Sequence, residues 1–262
     1  MPEPVNKLDQ LEVRPDEPIE RDQVLVSIKS ETGWTDIMTL GNISTIIGKA
    51  KSRKTFFITL LLAGVVTNRN VYIKSSLDKR KIVLFDTEQG RYHVWKVTKR
   101  IEKMVGSWPD KFNVYGLRPL TTQERITEIE NYIYQNDLSL VVIDGIRDLV
   151  TDINSAEQAT DIVGKLMRWS YERDLHICSV LHQNKADDNA RGHIGTEIVN
   201  KSETVIQVAK AKDKQFSIVS SIYTRGMEIR EFQFSIDNGI PVADLDEYNN
   251  FSEPNRDEEL EF

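Results

Sequence analysis

One stretch limits what this chain can fold into more than any other: Gly48-Lys49-Ala50-Lys51-Ser52-Arg53-Lys54-Thr55. The apolar run Ile43 to Ile47 leads into it. Phe56 to Val66 follows, with Phe57, Leu60, Leu61, Gly64 and Val65 recurring at helical spacing. A strand therefore enters the loop and a helix leaves it, which is the setting of a phosphate-binding loop. Its chemistry asks for these residue types. Backbone N–H groups ring an anion at a helix N-terminus, a lysine at position 54 reaches the outer phosphates, and the Thr55 hydroxyl ligates Mg²⁺. The candidate nucleotide contacts are Gly48, Lys49, Ala50, Lys51, Ser52, Arg53, Lys54, Thr55 and Phe56. Arg53 stands where such loops usually carry a second Gly, so the backbone there lacks glycine's freedom at positive φ. A solvated basic turn is the competing reading, and the flanking strand and helix weigh against it.

The charge distribution bears on partners. The chain carries 41 acids and 34 bases in 262 residues, a net charge of -7. Eight of the acids and a single base, Arg256, fall between Asp244 and Phe262, so 33 of each sign remain in residues 1–243. The body is neutral and the negative balance is a tail whose composition suits disorder. Residues 1–22, with Pro2, Pro4, Pro15 and Pro18 among charges, read as a flexible arm. That leaves residues 23–243 as one α/β domain. No apolar run reaches the roughly 18 residues of a membrane span, so a cytoplasmic protein is expected. The lone Cys178 excludes an internal disulfide framework and, in the apolar run Ile177 to Leu181, suits the core.

Further along, apolar strands end in residues with chemistry. Ile82 to Phe85 ends in Asp86-Thr87-Glu88-Gln89-Gly90. Acids at the C-terminal edge of a parallel strand face the crevice where such sheets bind ligands, so Glu88 is a candidate to polarise an attacking water. A plain turn would have a similar composition. Leu138 to Ile143, unbroken and apolar, suits a strand buried on both faces and ends in Asp144, a candidate Mg²⁺ ligand beside Thr55. Asp148 reads as a surface acid. Ile177 to Leu181 ends in His182-Gln183, at the edge expected for Glu88 and Asp144, where either side chain is placed to sense a terminal phosphate. The polar loop Lys185 to Gly195 follows, and Lys185, Arg191 and His193 are candidates to track a nucleic-acid backbone; a merely flexible loop is the alternative. Trp34 to Leu40 reads as a connection and Thr67 to Arg80 as a surface excursion. Thr204 to Val208, Phe216 to Thr224 and Ile229 to Ile236 read as strands, the last two a hairpin turning near Gly226.

This succession of strand, phosphate loop and helix, strand with Asp-Thr-Glu, strand with Asp, strand with His-Gln, polar loop and hairpin resembles the RecA-like ATPases. Within them it is most similar to the hexameric replicative helicases of the DnaB and plasmid RepA type, over about Val24 to Asp237. The resemblance implies an α/β fold with a mostly parallel central sheet flanked by helices and a C-terminal antiparallel hairpin. It implies ATP and Mg²⁺ as cofactors, with Glu88, Lys54, His182 and Gln183 catalytic. Arg225, in Tyr-Thr-Arg-Gly at the hairpin tip, resembles an arginine finger acting on a neighbouring subunit's nucleotide; a solvated turn arginine is the equal alternative. Single-stranded DNA, a homo-oligomeric ring, a hexamer, and a primase or replication initiator are the implied partners. The rival functions are a non-translocating recombination or repair ATPase and a nucleotide-binding scaffold with little hydrolysis.

Overall fold

The computed structural model describes residues 8, 11–68, 70, 72–77, 80–184, 189–212 and 215–244. Among them the main sheet has nine strands. Five are consecutive parallel neighbours: β3 (Ile43–Gly48), β8 (His176–His182), β7 (Leu138–Asp144), β5 (Lys81–Asp86) and β6 (Phe112–Gly116). On the other side of β3, β9 (Thr204–Lys210) runs parallel to it, and β10 (Ser217–Thr224), β11 (Phe232–Asp237) and β12 (Ile240–Asp244) close the sheet antiparallel. The order across the sheet is therefore β12-β11-β10-β9-β3-β8-β7-β5-β6. This is the RecA-like α/β architecture that the motif order implies. The closing hairpin is there, lengthened by β12.

The helices follow from their patterns. α1 (Lys54–Thr67) is apolar on every face and buried from Phe57 to Val65, as a helix apolar all round must be. α2 (Arg91–Val105), α3 (Thr122–Gln135) and α4 (Ala156–Glu172) each bury one stripe; Val94, Val97 and Ile101 form that of α2. The α3 start is fixed by a capping box in which Thr121 and Glu124 each accept from the other's backbone N–H. One core cluster lies under α1 and α2, around Phe57, Leu61 and Val142; the other, around Trp169 and Ile143, lies under α3 and α4. Cys178 is fully buried, as its apolar run suggests.

Three local expectations need correction. Trp34–Thr39 is a strand, β2, and Thr67 to Arg80 contains another, β4 (Ile73–Ser75); with β1 (Val24–Lys29) they form a separate antiparallel sheet. Tyr72, read as part of a surface excursion, is buried, its ring stacked 4.3 Å from Phe232. The supposed loop to Gly195 ends early, because Gly192–Lys201 is a helix, α5, that buries Ile194 and Ile198. In all three places long-range packing overrides a locally polar sequence.

Candidate functional site

The parallel register builds the site. Gly48 lies opposite His182, and Asp86 opposite Asp144, so the strand ends bring phosphate loop, acids and histidine to one edge. Gly48 is required by a close approach: a Cβ there would meet the Val208 carbonyl oxygen at 2.3 Å and the Ser52 hydroxyl at 2.6 Å. The loop then turns through two left-handed residues, Lys51 (φ 65°) and Arg53 (φ 74°), before α1 begins. Arg53 thus adopts the conformation for which glycine is the usual choice, at a cost of roughly 1–2 kcal/mol. Its carbonyl accepts from the N–H groups of Phe56 and Phe57, and its guanidinium donates to the Gln215 carbonyl at 2.6 Å.

Lys54 and Thr55, the first two residues of α1, point into a cavity of about 490 Å³. The Lys54 ammonium donates to the carbonyls of Gly48 (2.8 Å) and Lys49 (3.2 Å) and lies 2.9 Å from His182 Nδ1. Burial lowers its pKa to about 8, opposed by the charges of Asp144 and Glu88. Thr55 donates its hydroxyl to Asp144 Oδ2 at 3.0 Å. Burial, reinforced by Asp86 and Glu88, raises the Asp144 carboxyl to about 7.

Glu88 projects from the turn after β5. Its Oε2 is 3.4 Å from His182 Nε2, and that hydrogen bond, ahead of the opposing effect of burial, holds its carboxyl below the usual range. The turn is stiff. Asp86 accepts from the backbone N–H groups of Glu88 (3.1 Å) and Gln89 (2.8 Å) and from the Gln89 side chain (2.6 Å). Thr87 donates to the Gly145 carbonyl at 2.8 Å, with Asp148 Oδ2 3.1 Å away. Asp148, read as a surface acid, is therefore a half-buried member of this turn.

Lys54, Thr55, Glu88, Asp144 and His182 line one cavity with Lys51, Ser52, Arg53 and Phe56. Lys49, Ala50 and Gln183 line another, of about 320 Å³, on the far side of the loop with Gln207 and Lys210. Gln183 is buried there, its N–H donating to the Gly48 carbonyl at 3.1 Å. Arg191 and His193 are exposed beyond β8. The Arg191 N–H donates to the His182 carbonyl at 3.1 Å, and His193 borders a polar cavity with Asn154, Asn184 and Asn200. Lys185 lies outside the described residues. Arg225 sits at the opposite sheet edge, following Thr224, which pairs with Thr204; its guanidinium lies 3.5 Å from Asn42 Oδ1. It cannot reach the phosphate loop of its own chain.

Sequence reasoning passed over two features. His93, Lys96 and Arg100, spaced i, i+3, i+7 on α2, line the cavity opposite the phosphate loop, a periodicity that was there to be seen. Gly145 (φ +105°) follows Asp144 where a Cβ would meet Thr87 Oγ1 at 2.3 Å and Glu88 Cγ at 2.7 Å; an Asp-Gly pair ending an apolar strand was its only signal.

A metal ion fits here. The oxygens of Thr55 and Asp144 converge, and no cluster of three or more potential ligand side chains occurs among the described residues. That is the sparse protein donor set of Mg²⁺ sites completed by phosphates and water. No described helix is long and apolar enough to cross a membrane.

No curated protein matches the chain. Among solved structures, the ATPase domain of a DnaB-like helicase superposes with a TM-score of 0.57 over 77% of this chain and 84% of that one, at 11% identity, a likeness of fold. The family model described as "AAA domain" matches residues 23–188, which span the phosphate loop, Glu88, Asp144 and His182. The phosphate loop on a RecA-like sheet is thus matched in sequence as well as in shape, and the chain belongs to the AAA domain family.

Proposed function

We propose that the chain is an ATP-hydrolysing RecA-fold motor acting on single-stranded DNA, as a RepA- or DnaB-like helicase or translocase. The observation that carries this reading is the position of His182. It touches Lys54 with one ring nitrogen and Glu88 with the other, and its own carbonyl accepts from Arg191 at the far end of the polar loop. Phosphate contact, water activation and the candidate DNA-tracking loop thus meet at one residue.

In this reading Lys54 and the loop N–H groups hold the outer phosphates of ATP, and Glu88 orients the attacking water and draws on its proton. Thr55 and Asp144 hold Mg²⁺, which supplies charge neutralisation at the phosphates. Arg191 and His193 contact the DNA backbone, with Lys185 beside them. Arg225, at the opposite sheet edge, serves a neighbouring copy in a homo-oligomeric ring. Residues 1–22 act as an arm and 244–262 as an acidic tail.

The test is steady-state ATP hydrolysis with and without single-stranded DNA, beside Glu88→Gln. Stimulation by DNA, with turnover reduced about 10²–10⁴-fold in the variant, supports a motor and makes strand displacement on a forked duplex the next measurement. ATP binding without turnover in either condition rejects it.

A further inference from the structure

The cavity beside the phosphate loop extends along α2, whose exposed flank gives it His93, Lys96 and Arg100. Arg100 lies nine residues beyond the helix start at Arg91, roughly 14 Å along the axis. It therefore stands well away from Glu88, which precedes the helix. Its guanidinium carbon is 4.0 Å from the centroid of the Phe56 ring, the residue after Thr55. Nε donates to the Gly239 carbonyl in the β11–β12 turn at 2.8 Å, and one terminal nitrogen reaches Thr59 Oγ1 at 3.4 Å. Three of its five N–H donors have no partner among the described residues, and no carboxylate there neutralises its charge. Burial lowers its pKa, so the site carries a desolvation cost without an ion pair to offset it.

A half-buried, uncompensated guanidinium backed by an aromatic ring, on the wall of a site already supplied with phosphate ligands, suits the part of a ligand that is neither phosphate nor metal. A nucleobase offers a flat face and ring acceptors; a ribose offers hydroxyls. Both match the free donors and the plane of Arg100. The distance along α2 separates this end of the cavity from the phosphate end at Lys54.

We propose that Arg100, stacked on Phe56, holds the nucleoside end of the bound nucleotide while Lys54 holds its phosphates. This rests on the ATPase reading. The contact to Gly239 ties the closing strands of the sheet to that same end of the ligand.

The experiment compares equilibrium binding of ATP and of inorganic triphosphate, each with Mg²⁺, by calorimetry. Arg100→Ala is expected to weaken ATP about tenfold and to leave triphosphate within about twofold; Lys54→Ala weakens both. Intact triphosphate binding shows that the phosphate loop of the variant is folded. Arg100→Lys, which keeps the charge and the stem but not the planar fork, is expected to show the same loss selective for ATP. Unchanged ATP affinity in both variants, or equal weakening of the two ligands in Arg100→Lys, overturns the proposal. Failure of the unaltered chain to bind ATP at all overturns the ATPase reading itself.

Discussion

The Lys54 ammonium sits 2.9 Å from Nδ1 of His182. An ammonium has only donors, so Nδ1 accepts and the ring proton of the neutral imidazole is on Nε2, facing Glu88. With two carbonyls as its other acceptors, Lys54 has all three donors engaged within the chain. A phosphate bound by Lys54 competes with these contacts, and His182 is the partner free to turn away.

His182→Ala removes the link between phosphate contact and the loop held by the His182 carbonyl. ATP affinity should stay within about threefold, while hydrolysis falls on the order of 10²-fold, the low end for losing a group that orients a catalytic base. Stimulation by single-stranded DNA should disappear. Equal losses in binding and turnover, measured by calorimetry and steady-state kinetics, would show His182 to be a phosphate ligand instead.

The pH profile should be narrow for the free protein. Asp144, raised to about 7, favours its protonated form in the fold, so its contribution to stability is present below its ordinary pKa and lost as pH rises through about 7. Lys54, lowered to about 8, favours its neutral form, and that contribution is lost as pH falls through about 8. Only between these values are carboxylate and ammonium both present to take Mg²⁺ and phosphate. The kcat/KM profile should therefore be a bell with limbs near 7 and 8. The kcat plateau should be wider, because bound phosphate raises Lys54 and bound Mg²⁺ lowers Asp144. A flat kcat/KM from about pH 6 to 9 would contradict both assignments.

Gly145→Ala places a methyl group against Thr87 and Glu88 at a backbone angle that disfavours it. Thermal unfolding should show a loss of about 1–3 kcal/mol, as for overpacking. ATP turnover should fall further than ATP binding, since Glu88 is displaced and Lys54 is not. A variant as active as the parent would mean that the turn is softer than its hydrogen bonds indicate.

Arg53→Gly relieves a left-handed residue at the mouth of the loop. Chemical denaturation should show a gain of about 0.5–1 kcal/mol, the strain released less the conformational entropy and the hydrogen bond to Gln215 that are lost. ATP affinity should not fall. A tenfold loss would instead make Arg53 a nucleotide ligand.

The residues most legible in the sequence are those at strand ends. Lys54, Thr55, Glu88, Asp144 and His182 each follow an apolar run, and a parallel sheet brings such ends to one edge, so linear order was enough to foresee their meeting. Gln183 shows the limit of that rule. One residue beyond His182, the alternating side-chain direction of a strand turns it to the other cavity. Arg225 shows another: its distance from the phosphate loop depends on β10 running antiparallel to β9, which a hairpin pattern alone does not orient against the parallel strands. The α2 wall and Tyr72 were hidden because their roles come from partners far away in the chain.

β3, the strand that carries the phosphate loop, lies between β8 and β9 and touches neither β5 nor β7. During synthesis from the N-terminus, both its neighbours emerge last. About 130 residues separate Gly48 from the start of β8, on the order of ten seconds of translation. Until then the edges of β3 are unpaired, and the acids of β5 and β7 have no phosphate loop beside them. The nascent chain therefore gains its nucleotide cavity late and in one step, when β8 slots between β3 and β7, and any chain cut short before His176 carries every phosphate-loop residue without a site.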